Sequence, residues 1–392
     1  MSHMSDRERR FLHFSSVYFA QGVLLSYFLT FNILYLRQQG LQAGEIGLFQ
    51  AALMVPFVLK ILIGLLSDRF SLFGLGHRYP YILLGLSVQL AMILCLPLVA
   101  LPQALTLFFV VALIAASGMA MYDTCTDGLA VETTPEKERS LIQGVMVGTR
   151  AAGILVTLVL GGWVIDAFGW SALFLTMAIL TLPAVIFTLR YWQAPPPAER
   201  PGFDWSVFRL LLQRNTLLLA AMGVVYALAL DSVLSYLSYH RGAGSVSDVA
   251  LVSGLVALSM VGRIAGALFS GRISERLGYR RSFQVAIVLS VLACLSLSLN
   301  AGTLVLSLSS LMFGFSYGYY TTVYAATAML LSDPRVAASM FAIFMMFLNL
   351  GVAGGQAIGG IVIGYFGFSA LVLLMSIVSL LNLLLVRKLA RE

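Results

Sequence analysis

A short pattern closes the second long apolar segment and returns at the close of the eighth: GLLSDRF at 64 to 70, and GRISERL at 271 to 277, followed by Gly278, Arg280 and Arg281. A second echo, GGWVIDAFGWSAL at 161 to 173 against GGIVIGYFGFSAL at 359 to 371, aligns without gaps at an offset of 198. Pro135 and Pro334 match in the loops just before these segments. The chain is therefore two copies of one unit, and any fold proposed for it must place both copies in equivalent environments.

Composition says what that environment is. With 60% hydrophobic and 10% charged residues, the chain has too few polar side chains to cover a soluble globule of 392 residues. Lipid must solvate it. A helix needs about 20 residues to cross the hydrocarbon layer, and twelve stretches suffice: 12 to 37, 45 to 67, 79 to 101, 104 to 130, 141 to 165, 170 to 191, 215 to 240, 246 to 270, 282 to 300, 303 to 330, 336 to 362 and 367 to 388. The expected fold is all-α, with twelve transmembrane helices in two pseudo-symmetric six-helix bundles. Duplicated membrane units of this kind hold a solute between halves that rock about it.

The longest interior polar stretch carries Pro195, Pro196, Pro197 and Pro201, which cannot continue a helix. It divides the chain into a first bundle at 1 to 191, a cytoplasmic linker at 192 to 214 and a second bundle at 215 to 392. Residues 203 to 215 mix apolar and basic side chains, and either lie along the inner membrane surface or form an ordinary loop. The net charge of +7 is not a nucleic-acid footprint, because Lys and Arg gather in alternate loops. Arg69, Arg78, Arg139, Arg190, Arg280 and Arg387 fall on one side with both chain ends, and only Arg37 and Arg241 fall in loops on the other. By the positive-inside rule both termini are cytoplasmic, which fits a multi-pass protein of a bacterial inner membrane.

Several function classes are excluded. Cys95, Cys125 and Cys294 all lie within apolar spans, so no disulfide framework is implied. No Walker A sequence, zinc-ligand spacing or nucleophile elbow is present. The chain reads as neither an enzyme nor an ATP-driven pump, with no cofactor and no metal.

An ionisable side chain in hydrocarbon costs from about 2.5 kcal/mol upward, so each one placed mid-span needs a partner or a water-filled cavity. Six stand out: Lys60, Asp123, Asp127, Arg150, Asp231 and Arg263. Asp123 and Asp127 are one helical turn apart on one face and repel unless a cation sits close. Lys60, Asp123 and Arg150 lie eight, nine and ten residues from cytoplasmic ends marked by Asp68, Glu132 and Ser140, so they share a depth. The expectation is a buried Lys60, Asp123, Asp127 and Arg150 cluster in the first half. It serves either as a static network that keeps helices in register, or in proton coupling or substrate-anion binding. The repeat sets Thr322 opposite Asp123, Ala326 opposite Asp127 and Asn349 opposite or beside Arg150, so the charge chemistry is expected on one side only. Asp231 faces the central cavity or meets Arg241 or water near the outer surface. Arg263 is expected to snorkel to the cytoplasm.

Polar and aromatic stripes mark candidate cavity walls. Tyr18, Gln21 and Asn32 align on the first span, and Tyr317, Tyr320 and Tyr324 share one face of the tenth. Tyr226 and Tyr236 on the seventh add to them, with Asp231 and Asn349. Tyrosine supplies a stacking surface and a hydroxyl, suited to a bulky, partly polar organic ligand, although packing or the interfacial belt uses it as well. Gly351, Gly354, Gly355, Gly359 and Gly360 point to close helix packing.

The repeated Gly-x-x-x-(Asp/Glu)-Arg pattern with downstream basic residues resembles the loop signature of the major facilitator superfamily. The resemblance implies helices one, four, seven and ten around the cavity, and alternating access. It also implies a conformational gate made of Gly64, Asp68, Arg69 and Arg78 in the first copy and Gly271, Glu275, Arg276 and Arg280 in the second. Asp68 would cap the cytoplasmic start of helix eleven through the helix dipole, although SLFGLGH separates Arg78 from Arg69. Within the superfamily, PFVLKILIGLLSDRF at 56 to 70 and YDTCTDGLAVE at 122 to 132 are similar to AmpG-type muropeptide permeases, acetyl-CoA transporters, folate-biopterin transporters and siderophore importers.

The reading is a monomeric, proton-coupled importer of a small organic solute such as a siderophore or cell-wall fragment, embedded in the lipid bilayer and without a nucleic-acid partner. The alternatives are a drug or metabolite exporter and a non-transporting membrane assembly factor on the same fold.

Overall fold

The computed structural model describes residues 5–72, 76–99, 101, 103–133, 139–191, 213–241, 246–298, 302–331 and 337–389. Most of the 192 to 214 linker lies outside these residues. The described structure is helical throughout, with no strand. The first span is α1 (Asp6–Ser26), a π-helical turn (Tyr27–Phe31) and α2 (Asn32–Gln38). The second is interrupted: α3 (Ala43–Leu53), α4 (Val55–Val58) and α5 (Lys60–Arg69). Then come α6 (Tyr79–Cys95), α7 (Leu105–Thr133), α8 (Arg139–Phe168), α9 (Trp170–Arg190), α10 (Arg214–Arg241), α11 (Val246–Leu277), α12 (Tyr279–Leu297), α13 (Thr303–Leu331) and α14 (Ala337–Lys388).

Local sequence explains where these helices begin and break. Ser5 accepts from the Glu8 amide, while the Glu8 side chain accepts from the Ser5 amide, a reciprocal cap that starts α1. Gln42 and Glu45 do the same for α3. Pro56 has no amide hydrogen, and the second span breaks around it, with turns at Met54 and Leu59. The duplicated Phe-Gly turn gives one backbone shape twice: Gly169 has φ 80° and ψ 179°, and Gly367 has φ 78° and ψ 176°. A side chain with a Cβ is strained at such φ values. Gly169 separates α8 from α9, and Gly367 divides α14 into two rods.

Ten helices among the described residues are long and apolar enough to cross a membrane. Dividing the longest at Gly367 and adding α13 gives the twelve expected. Large apolar side chains such as Leu62, Leu175, Ile186, Leu268, Leu304 and Ile377 are exposed along these rods, as lipid contact requires.

The chain forms two compact units. One comprises Met1–Tyr35, Leu59–Arg200 and Ser245–Ser253; the other comprises Leu36–Val58, Pro201–Gly244 and Gly254–Glu392. The chain passes from the second unit into the first at the broken second span. Glycines set the close crossings within each. In the first unit, a Cβ on Gly22 of α1 would collide with the Arg150 carbonyl of α8, and a Cβ on Gly153 of α8 with the Phe19 carbonyl of α1. In the second, Gly262 and Gly266 of α11 face Gly314 and Gly318 of α13, each too close to the opposite backbone to admit a Cβ. The glycines of α14 pack as their sequence implied: Gly351 and Gly355 against the α10 backbone, and Gly360 against Ala43 and Gly47 of α3.

Candidate functional site

Four helices bring buried charge together in the first unit. Lys60 opens α5, immediately after the break in the second span, and its Nζ lies 3.6 Å from Oδ2 of Asp123 on α7. The Gln21 side-chain amide of α1 donates to Oδ1 of Asp123 at 2.7 Å. One turn along α7, Asp127 accepts a hydrogen bond from the Tyr18 hydroxyl of α1. The Arg150 guanidinium of α8 lies over the Tyr18 ring, 5.7 Å from its centroid. The α1–α8 glycine crossing makes that approach possible. Asp123 is only 6% exposed. Lys60, Asp123, Asp127 and Arg150, expected as one cluster, thus lie around one site, and Tyr18 and Gln21, expected as cavity wall, are part of it.

Side chains of the third and fourth spans hold the α1 face in place. Tyr122 donates to Gln89 Oε1 at 2.9 Å, and Gln89 Nε2 reaches the Ala20 carbonyl at 3.5 Å. One acceptor is left over: the Gln21 Oε1 atom is buried without a hydrogen-bond partner among the described residues. Asn32 lies beyond this site, accepting from Tyr27 at 3.0 Å across the π-helical turn.

The second unit has a charge site of its own, which corrects the expectation of one-sided charge. Arg263 does not snorkel to the end of α11. Its guanidinium sits 3.9 Å from the centroid of the Tyr317 ring on α13. Asp231 on α10 is 6% exposed and lies within electrostatic reach of Arg263 and Tyr317. Its burial excludes the surface-water reading. Tyr226 stacks on Tyr320 with centroids 4.2 Å apart, sets its edge to Tyr317 at 5.7 Å and hydrogen-bonds Thr321. The tyrosines of the seventh and tenth spans therefore meet as expected, but mostly pack on one another. Tyr324 donates to the Phe344 carbonyl at 3.3 Å, and Tyr236 to the Gln356 carbonyl at 3.0 Å, so both tie α14 to its neighbours. Asn349 of α14 donates to the Phe57 carbonyl at 3.2 Å, beside the break in the second span.

The signal that sequence reading missed for Arg263 was present. Gly262, Gly266, Gly314 and Gly318 form two small-xxx-small pairs, and a Cβ on Gly318 would overlap the Arg263 carbonyl. That proximity delivers Arg263 to the residue next to Gly318.

Of the gate residues, Arg78 is buried, donates to Ser67 Oγ at 2.7 Å and packs its guanidinium against Gly128 of α7. Gly64 lies on α5, where an added Cβ would meet the Thr124 side chain of α7 at 3.5 Å. Arg280 donates to the Arg387 carbonyl at 3.0 Å, near the C-terminal end of α14. The side chains of Asp68, Arg69, Glu275 and Arg276, and the surroundings of Gly271, lie outside the described residues. No group of three His, Cys, Asp or Glu residues that would hold a metal ion occurs among the described residues.

The sequence profile of the Major Facilitator Superfamily matches residues 14–253 and 229–392, so each half carries its own match. The chain belongs to the Major Facilitator Superfamily. Among its relatives, the Multidrug resistance protein MdtG of Dickeya zeae (strain Ech586) is 24% identical over 374 residues, 93% of this chain and 90% of the relative. Against the MdtG of Klebsiella pneumoniae (strain 342) the alignment spans 65% of this chain and 64% of that relative. The Folate-biopterin transporter of Synechocystis sp. (strain ATCC 27184 / PCC 6803 / Kazusa) is 24% identical over 94% of this chain and 78% of its own length. In fold, the chain is similar to a mutant of the nucleoside transporter NupG, with a TM-score of 0.78 at 15% identity over 97% of this chain and 100% of that one. This superfamily member is thus a multi-pass membrane transporter with the twelve-helix facilitator fold, and not an enzyme.

Proposed function

We propose that this protein carries a bulky, partly polar organic solute by alternating access, driven by protons that load onto the Asp123 and Asp127 site. The observation that supports this reading is the geometry of that site. Two carboxylates one turn apart are each held by a donor from α1, and Lys60 neutralises one of them at 3.6 Å. Protonating Asp123 removes the partner of Lys60, which begins α5 beside the broken second span. A change of charge there acts directly on a helix that is already interrupted. Positively charged loops on one side support cytoplasmic termini in a bacterial inner membrane, and the Arg78 contacts with Ser67 and Gly128 support a gating role for that loop. A single chain forms the whole transport route in this reading.

Import of a siderophore, cell-wall fragment or similar solute is the first direction. The 24% identity to the Folate-biopterin transporter favours a planar heterocyclic solute within that class. Efflux is the second direction, favoured by the match to MdtG over nearly the whole chain. The test uses purified protein in vesicles with an internal pH dye, offered biopterin, nucleosides and a cationic dye. Proton entry that accompanies uptake of one of these supports import, and proton exchange against it supports efflux. Solute movement with no proton movement contradicts the coupling proposal.

A further inference from the structure

Basic side chains gather at one end of the second unit, where two helix ends meet. Arg280 and Arg281 stand in the first turn of α12, and Arg387 and Lys388 in the last turn of α14. The Arg280 guanidinium donates to the Arg387 carbonyl at 3.0 Å, which ties the two ends together. Arg281, Arg387 and Lys388 are exposed. Neither helix carries an Asp or Glu, and among the described residues no acid pairs with any of the four cations.

Half of this charge runs against the local field. The last turn of a helix favours cations, so Arg387 and Lys388 are well placed, but the first turn favours anions and disfavours Arg280 and Arg281. The start of α1 shows a balanced alternative: Arg7 and Arg9 there alternate with Asp6 and Glu8, and Arg9 lies 3.8 Å from Asp6. The first copy of the loop pattern hides its arginine, because Arg78 is buried against Ser67 and Gly128. At α12 the compensating anion must come from outside the two helices. The surface next to the cluster says what that anion carries. Arg281 heads an exposed apolar line of Val285, Val288 and Leu292, and Lys388 heads another of Leu384, Leu381 and Ile377, each at helical spacings of three and four.

We propose that the ends of α12 and α14 form a binding site for an anionic phospholipid. Arg281 and Lys388 hold the phosphodiester, with Arg280 and Arg387 beside them, and the acyl chains follow the two apolar lines into the bilayer. A guanidinium fork matches two phosphate oxygens, and basic side chains between spans at a membrane surface suit such headgroups. A free anion lacks the chains and a zwitterionic lipid lacks the net charge, so the two halves of the site select together. This proposal does not depend on the solute, on the direction of transport or on the role given to Asp123 and Asp127.

Native mass spectrometry of the delipidated full-length protein, titrated in detergent with phosphatidylglycerol or phosphatidylcholine, tests it. The wild type should prefer phosphatidylglycerol, and the Arg281→Gln, Lys388→Gln variant should bind that lipid about tenfold more weakly or worse, two cations having left the membrane surface. Phosphatidylcholine binding should not change in the same variant. The Arg7→Gln, Arg9→Gln variant, altered at the compensated start of α1, should keep a phosphatidylglycerol affinity near that of the wild type. Inorganic phosphate should not displace the lipid. If the first variant does not fold, the Arg280→Gln, Arg281→Gln variant serves in its place. Equal affinity of the wild type for the two lipids overturns the proposal, and so does undiminished phosphatidylglycerol binding in the α12 and α14 variants or an equal loss in the α1 variant. Displacement by inorganic phosphate would assign the cluster to a free anion and overturn it as well.

Discussion

The first unit binds its buried acid directly, and the second does so through a ring. Lys60 touches Asp123 at 3.6 Å, whereas Arg263 lies on the face of Tyr317, and both are within electrostatic reach of Asp231. The cations sit on corresponding spans, the second and the eighth, but the acids do not. The acids lie on the fourth span in one unit and on the seventh in the other, so the repeats differ in where buried charge is placed as well as in how it is compensated. A direct pair in a low-dielectric setting is strongly coupled, because removing one partner strands the other. A pair mediated by a tyrosine is softer, since the ring and hydroxyl retain their own contacts when the cation is removed.

The largest expected effect follows from that difference. Lys60→Ala leaves Asp123 with Gln21 as its remaining partner, and should destabilise the protein by about 3–5 kcal/mol, the cost of an uncompensated buried charge. Thermal unfolding in detergent would show a clear fall in midpoint, partly restored by adding Asp123→Asn. Equal stability of Lys60→Ala and wild type would mean that the first site is no more tightly paired than the second.

Arg263→Ala should cost less, about 2 kcal/mol or under, because it forfeits a cation–π contact and not a direct ion pair. The same melting experiment gives the comparison. An Arg263→Ala loss equal to that of Lys60→Ala would erase the distinction between the two units.

A smaller pair of changes tests the shared architecture alone. Gly169→Ala and Gly367→Ala put a Cβ on backbones with φ near 80° and 78°, at a cost of about 1 kcal/mol or somewhat more each. Similar shifts from the two sites would sharpen the claim that the repeats fold alike. A change felt at one turn only would show that the duplicated sequence has diverged in backbone as well as charge.

Much of this was legible in the sequence, for physical reasons. Helix lengths follow from bilayer thickness and apolar runs, and the common depth of Lys60, Asp123 and Arg150 follows from the constant rise per residue. The repeat at 161 to 173 and 359 to 371 located both glycine turns. Depth along a single helix does not, however, say what the neighbouring helix presents. Arg263 looked close enough to the cytoplasmic end to snorkel, yet the Gly262–Gly266 and Gly314–Gly318 crossing places it on Tyr317. The tyrosines shared a face in the sequence, but that pattern serves mutual stacking as readily as a cavity wall, and here Tyr226 stacks on Tyr320. The π-helical turn at Tyr27–Phe31 has no proline or glycine to announce it.

Solute-driven proton flux is the most direct test of the claim that buried charge in the first unit couples transport to protons. Vesicles bearing wild-type protein and an imposed gradient of a transported solute should show a pH change in their lumen. Asp123→Asn, Asp127→Asn vesicles should lose the part of that flux that the first site carries, while still moving solute down its gradient. An undiminished pH change in the double variant would contradict the account.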